Sequence, residues 1–144
     1  MSRLLWLLPA ALLALALGVS LLSAQPETTF TVVNNGSTSY KIDAADNPTL
    51  KLTRGQTYVF QVSAVGHPFW IKSVRSTGTG NAYNSGVTGN GTQSGSVTFV
   101  VPSDAPATLF YDCQFHSNMT GNLSISDPTP TLLQTWGKTK AAYR

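Results

Sequence analysis

Leu109-Phe110-Tyr111-Asp112-Cys113-Gln114-Phe115-His116-Ser117-Asn118-Met119-Thr120-Gly121 is the stretch that the rest of the chain serves. An apolar, strand-like run ends at a cysteine, and a histidine and a methionine follow at equal steps as Cys-x2-His-x2-Met. Cys113 is the only cysteine of the chain, His116 one of two histidines and Met119 one of two methionines. The other histidine, His67, closes another strand-like run. One thiolate, two imidazoles and one thioether make the donor set of a trigonal copper site with a weak axial sulfur. The expected cofactor is one copper ion, cycling between Cu(II) and Cu(I).

Moving outward, the 144 residues have room for one compact domain, since domains of about 100 to 150 residues are the usual size. Charged residues make up 10% of the chain, and abundant Ser, Thr, Asn and Gly describe a turn-rich β surface. The formal charge of +3 is too weak to argue for nucleic acid. Residues 25–127 hold five basic side chains (Lys41, Lys51, Arg54, Lys72, Arg75) against six acidic ones, while 128–144 is a basic tail with Lys138, Lys140 and Arg144. A single cysteine excludes an internal disulfide. In an oxidising compartment such a thiol survives when it is buried or bound to a metal.

Residues 1–24 open with Arg3, continue through an apolar run and end in small residues before Gln25-Pro26, the pattern of a secretory signal peptide cleaved after Ala24. The alternative is an uncleaved anchor, the one case in which a membrane is a partner. Either way the domain over 25–127 is expected to be exported, to the periplasm, the medium or the cell surface.

Within that domain, short alternating runs recur between turn signals, which predicts an all-β antiparallel sandwich or barrel. Eight strands are expected: Phe30–Val33, Ser39–Ile42, Leu50–Thr53, Tyr58–Val62, His67–Lys72, Val97–Val101, Leu109–Cys113 and Asn122–Ile125. The predicted core is Phe30, Val32, Leu50, Leu52, Val59, Val62, Phe99, Val101, Leu123 and Ile125. Residues 75–95, rich in glycine and poor in large apolar side chains, are expected to form a mobile surface loop. Their Gly-x-Gly pieces are no phosphate loop, because no Gly-Lys-Ser/Thr follows. Asn-x-Ser/Thr triplets at Asn35, Asn90, Asn118 and Asn122 are glycan acceptors only in a eukaryotic secretory pathway.

A strand that fixes Cys113 at its end lets the chain turn within two residues so that His116 points back at the metal. Met119 then approaches from a perpendicular direction and His67 from a neighbouring strand. Such a cage suits electron transfer, because the ion changes oxidation state with little movement of its ligands.

This pattern resembles the cupredoxins, the small blue-copper proteins that include plastocyanin, azurin, pseudoazurin and amicyanin. Residues 47–60, Asn-Pro-Thr-Leu-Lys-Leu-Thr-Arg-Gly-Gln-Thr-Tyr-Val-Phe, look like that family's strand, glycine turn and strand ahead of the first histidine. Leu109-x-Tyr111-x-Cys113-x2-His116-x2-Met119-x-Gly121 looks like its ligand loop, with the short spacing found in amicyanin. The resemblance implies a Greek-key β-sandwich and copper ligands at His67, Cys113, His116 and Met119. It also implies redox partner proteins docking near His116, with an apolar rim drawn from Phe69, Trp70 and Phe115, and a chain that is monomeric and not an enzyme. One departure stands out. The residue after the first histidine ordinarily donates its backbone N–H to the cysteine sulfur, and here it is Pro68, which has no N–H.

Rival chemistries fit less well. A Cys113 nucleophile has no evident orienting acid, since Asp112 leaves the strand on the opposite face. Zinc rarely takes a thioether. A carrier or store of Cu(I) shares the ligands and differs only in lacking reversible redox behaviour, and in a cupredoxin-fold surface module binding protein or glycan the metal would be incidental, a reading that failure to bind copper would favour.

Overall fold

The computed structural model describes residues 27–129. The expected export segment over 1–24 and the basic tail beyond Thr129 lie outside the described residues.

Ten strands follow in chain order: β1 (Glu27–Asn35), β2 (Ser39–Ile42), β3 (Ala45–Asp46), β4 (Leu50–Thr53), β5 (Thr57–Ser63), β6 (Phe69–Lys72), β7 (Val87–Thr88), β8 (Ser94–Val100), β9 (Thr108–Cys113) and β10 (Thr120–Ser126). All eight expected strands are present, and the additions are the two-residue edge strands β3 and β7. One sheet has the order β3-β2-β1-β5-β8-β7 and the other β4-β10-β9-β6. Both are mixed, because β1 runs parallel to β5 and β4 parallel to β10. The chain changes sheet between β4 and β5 through Arg54-Gly55-Gln56, where Gly55 takes a φ of 81° that other residues resist.

Alternation sets the inner faces. From the larger sheet Val32, Tyr40, Ile42, Phe60, Val62, Val97 and Phe99 are buried, and from the smaller Leu50, Leu52, Phe69, Ile71, Leu109, Tyr111, Leu123 and Ile125. Of the expected core, Phe30 is only half-buried, stacked 5.4 Å from Phe60. Val59 is buried but leaves its strand on the face opposite Tyr58 and Phe60, outside the main cluster. The centre is aromatic: Phe69 lies 5.2 Å from Tyr40, 5.3 Å from Phe60 and 5.5 Å from Tyr111. Phe69 therefore cannot serve as docking rim. Gly121 faces the Tyr111 ring so closely that an added Cβ would sit 2.1 Å from the phenol oxygen.

The expectation of a mobile loop over 75–95 is corrected. The segment includes β7, bridges Phe69 through Thr92 and Lys72 through Ala82, and packs Tyr83 and Val87 against the core. Backbone bonds from the Tyr83 and Gly91 N–H groups to the Ile71 and Phe69 carbonyls tie it to β6, and one side chain adds to them. Asn90 accepts from the Ile71 N–H at 2.7 Å and donates to the Ile71 carbonyl at 3.1 Å, so its carboxamide pairs with β6 as a neighbouring strand would. The same amide reaches the Tyr83 carbonyl at 3.2 Å. Apolar area is a poor guide to a segment held this way, since hydrogen bonds to an open strand edge do the holding.

Asn90→Ala should leave the Ile71 N–H unpaired, while the Ile71 carbonyl keeps the Tyr83 N–H at 2.9 Å, and lower unfolding stability by about 1–3 kcal/mol. A denaturant midpoint that falls with an unchanged slope is the expected outcome, and an unmoved midpoint would contradict the bracing role.

Candidate metal centre

His67 sits in the turn between β5 and β6, two residues ahead of the first residue of β6 and not within the strand as expected. The physical reason is Pro68: with no N–H it cannot open the ladder, so β6 begins at Phe69. The turn is shaped by Gly66 at a φ of 84° and by the His67 N–H donating to the Ala64 carbonyl at 2.9 Å. Buried Tyr40 fixes it from below. Its hydroxyl donates to the His67 carbonyl at 2.9 Å and the Pro68 carbonyl at 3.0 Å. Burial pushes the Tyr40 phenol far above the usual tyrosine range, with Cys113 alongside adding to the effect, so it stays a proton donor.

Cys113 ends β9 and pairs with Phe69 across the sheet. Its N–H donates to the Met119 carbonyl at 2.9 Å, and the Met119 N–H to the His116 carbonyl at 3.1 Å, closing the ligand loop on itself. The Gln114 N–H donates to the Pro68 carbonyl at 3.2 Å, tying this loop to the His67 turn. From the link between β3 and β4, Asn47, in the left-handed region at a φ of 43°, donates to the Asn118 carbonyl at 2.8 Å. Its Oδ1 meanwhile accepts from the Tyr40 N–H at 3.0 Å. Tyr40 and Asn47 are positioning residues that pattern reading passed over, Tyr40 as a member of the Ser39–Ile42 strand and Asn47 as the first residue of the 47–60 segment.

Three of the four expected ligands converge. The Nδ1 atoms of His67 and His116 lie 3.1 Å apart, and Cys113 Sγ lies 3.8 Å from the first and 3.6 Å from the second. Donors at about 2.0–2.3 Å from a common centre span a triangle of this size. Two imidazole lone pairs at this distance repel unless a metal ion or a shared proton relieves them. Burial lowers the His67 pKa and the adjacent His116 lowers it further, which favours the neutral, ligating imidazole. The sulfur accepts one backbone hydrogen bond, from the Phe115 N–H at 3.5 Å, and Pro68 supplies none. Cys113 is buried, His67 and His116 are half-buried, and Met119 is fully buried beneath the loop. The donor set of two neutral imidazoles and one thiolate fits one copper ion.

Two facing sheets carrying this cluster at one end make the cupredoxin fold. Rusticyanin shares it. A structure of reduced rusticyanin is 20% identical over 72% of this chain and 81% of that one, with a TM-score of 0.50. A second structure, of the copper protein rusticyanin, is 18% identical over 72% and 80%, with a TM-score of 0.51. At these identities the likeness is one of fold. No protein-family model and no curated protein matches the chain.

Tyr40→Phe removes the donor shared by the His67 and Pro68 carbonyls. It should lower the stability of the metal-free domain by about 1–2 kcal/mol and weaken copper retention against a chelator. Retention and melting equal to the parent chain would contradict the positioning role.

Proposed function

We propose that the chain is an exported, mononuclear blue-copper protein that carries single electrons between redox partners. The observation that carries this reading is the Nδ1, Nδ1, Sγ triangle, with edges of 3.1, 3.6 and 3.8 Å. Its fold likeness to a structure titled as that of the copper protein rusticyanin supports it. When bound, copper supplies a one-electron couple. The chain's own part is to hold the ligands still: Tyr40 and Asn47 fasten the two ligand-bearing turns to the larger sheet. Met119, buried under the loop, is proposed as the weak fourth donor.

Electron exchange needs close approach to a ligand. His116 is half-buried and Phe115 beside it is 58% exposed, which offers a partner an apolar landing next to that ring. Half-buried Trp70 adjoins through its indole N–H, 3.3 Å from the Gln114 side-chain oxygen. Export follows from the apolar leader over 1–24 and suits a lone thiol that a metal protects.

Voltammetry of the copper-loaded domain tests this function. A reversible one-electron wave is expected, and Pro68→Asn, which restores an N–H beside the thiolate, should raise the midpoint potential. Copper held only as Cu(I), with no reversible wave, would replace electron transfer with copper storage or carriage.

A further inference from the structure

Lys72 is the one fully buried cation among the described residues, at 0% exposure. It lies on β6, on the outer face of the smaller sheet, beneath the segment that follows that strand. Its ammonium donates to the Ser76 carbonyl at 2.5 Å and the Gly78 carbonyl at 2.8 Å. The Ser76 N–H donates in turn to the carboxylate of buried Asp112 at 3.2 Å. The Gly78 N–H donates at 2.7 Å to the carbonyl of Gln114, the residue after Cys113. A continuous path therefore runs from the buried ammonium through the 76–78 turn to the metal loop. Packing does not duplicate it, because a cavity of about 160 Å³ lined by Arg75, Ser76, Asp112, Cys113, His116 and Thr120 opens beside the loop. Burying an ammonium is costly, so its retention here calls for a compensating role.

We propose that Lys72 is a positioning residue for the metal centre: it braces the ligand loop through the 76–78 turn and biases the centre electrostatically toward its reduced state. The brace stands on the hydrogen bonds alone, and the electrostatic half rests on the copper reading given above. A cation close to a redox centre disfavours the oxidised state, which carries one more positive charge. Asp112 and Cys113 both lie near enough to stabilise the ammonium, against the burial that lowers its pKa. Asp112 tempers the bias, being the opposite charge on the same face.

Lys72→Met and Lys72→Gln in the full chain test both halves. In metal-free protein, amide exchange at Gly78 should accelerate about tenfold in Lys72→Met, the size expected for losing a charge-assisted hydrogen bond. The acceleration should be smaller in Lys72→Gln, which keeps one donor and decides the matter alone if the methionine variant does not fold. After copper loading, both neutral variants should show a lower reduction potential than the parent, a readout that simple loss of stability would not move in a fixed direction. Parent-like exchange at Gly78 overturns the brace, and an unmoved or raised potential overturns the bias. Faster exchange in a chain that takes up no copper supports the brace and removes the copper reading instead.

Discussion

The antiparallel register of β6 on β9, with Phe69 opposite Cys113, is the constraint on which the centre depends. It sends Cys113, Tyr111 and Phe69 to the inner face and leaves the His67 turn just beyond the strand end, beside the sulfur. A slip of one residue would turn Cys113 outward and bring Asp112 into the core. The register is held by the aromatic cluster, since Phe69 and Tyr111 stack at 5.5 Å with planes 17° apart. It is also held by Gly121, whose missing side chain makes room for the Tyr111 ring. The same residues that fill the core thus locate the metal.

Around that register the centre is held by backbone carbonyls more than by side-chain packing. Tyr40 grips the His67 and Pro68 carbonyls, Gln114 returns to Pro68, and Asn47 reaches Asn118 from the link between β3 and β4. Each fastening comes from a different strand or turn, so ligand positions are set by the whole sandwich and not by the loop alone. A loop so held would shift little if the charge at its centre changed, which is what the proposed electron exchange requires.

Much of this was legible in the sequence, and for identifiable reasons. Period-two runs such as Leu50-Lys51-Leu52 and Leu123-Ser124-Ile125 mark strands with one buried face, and both form as expected. The convergence of His67, Cys113 and His116 was readable because histidine and cysteine are so scarce here that their coincidence carries weight. What escaped were features in which polarity and position disagree. Asn90 reads as loop and acts as a strand edge, Lys72 reads as the charged end of a strand and is buried, and Tyr40, absent from the expected core, is buried and holds a ligand turn. Hydrogen-bond partners 19 to 28 residues away leave no periodic trace. Even the start of β6 was misplaced, because an apolar run shows strand content while Pro68 decides where the ladder begins.

The central claim is that Cys113, His67 and His116 hold one copper ion through the sulfur and two Nδ1 atoms. The most direct measurement is an absorption titration of the metal-free domain with Cu(II), run in parallel on Cys113→Ser. The account predicts an intense visible thiolate-to-copper charge-transfer band that saturates at one equivalent in the parent and is absent from the variant. A parent chain that binds Cu(II) without such a band, or a serine variant that gives the same band, would contradict it.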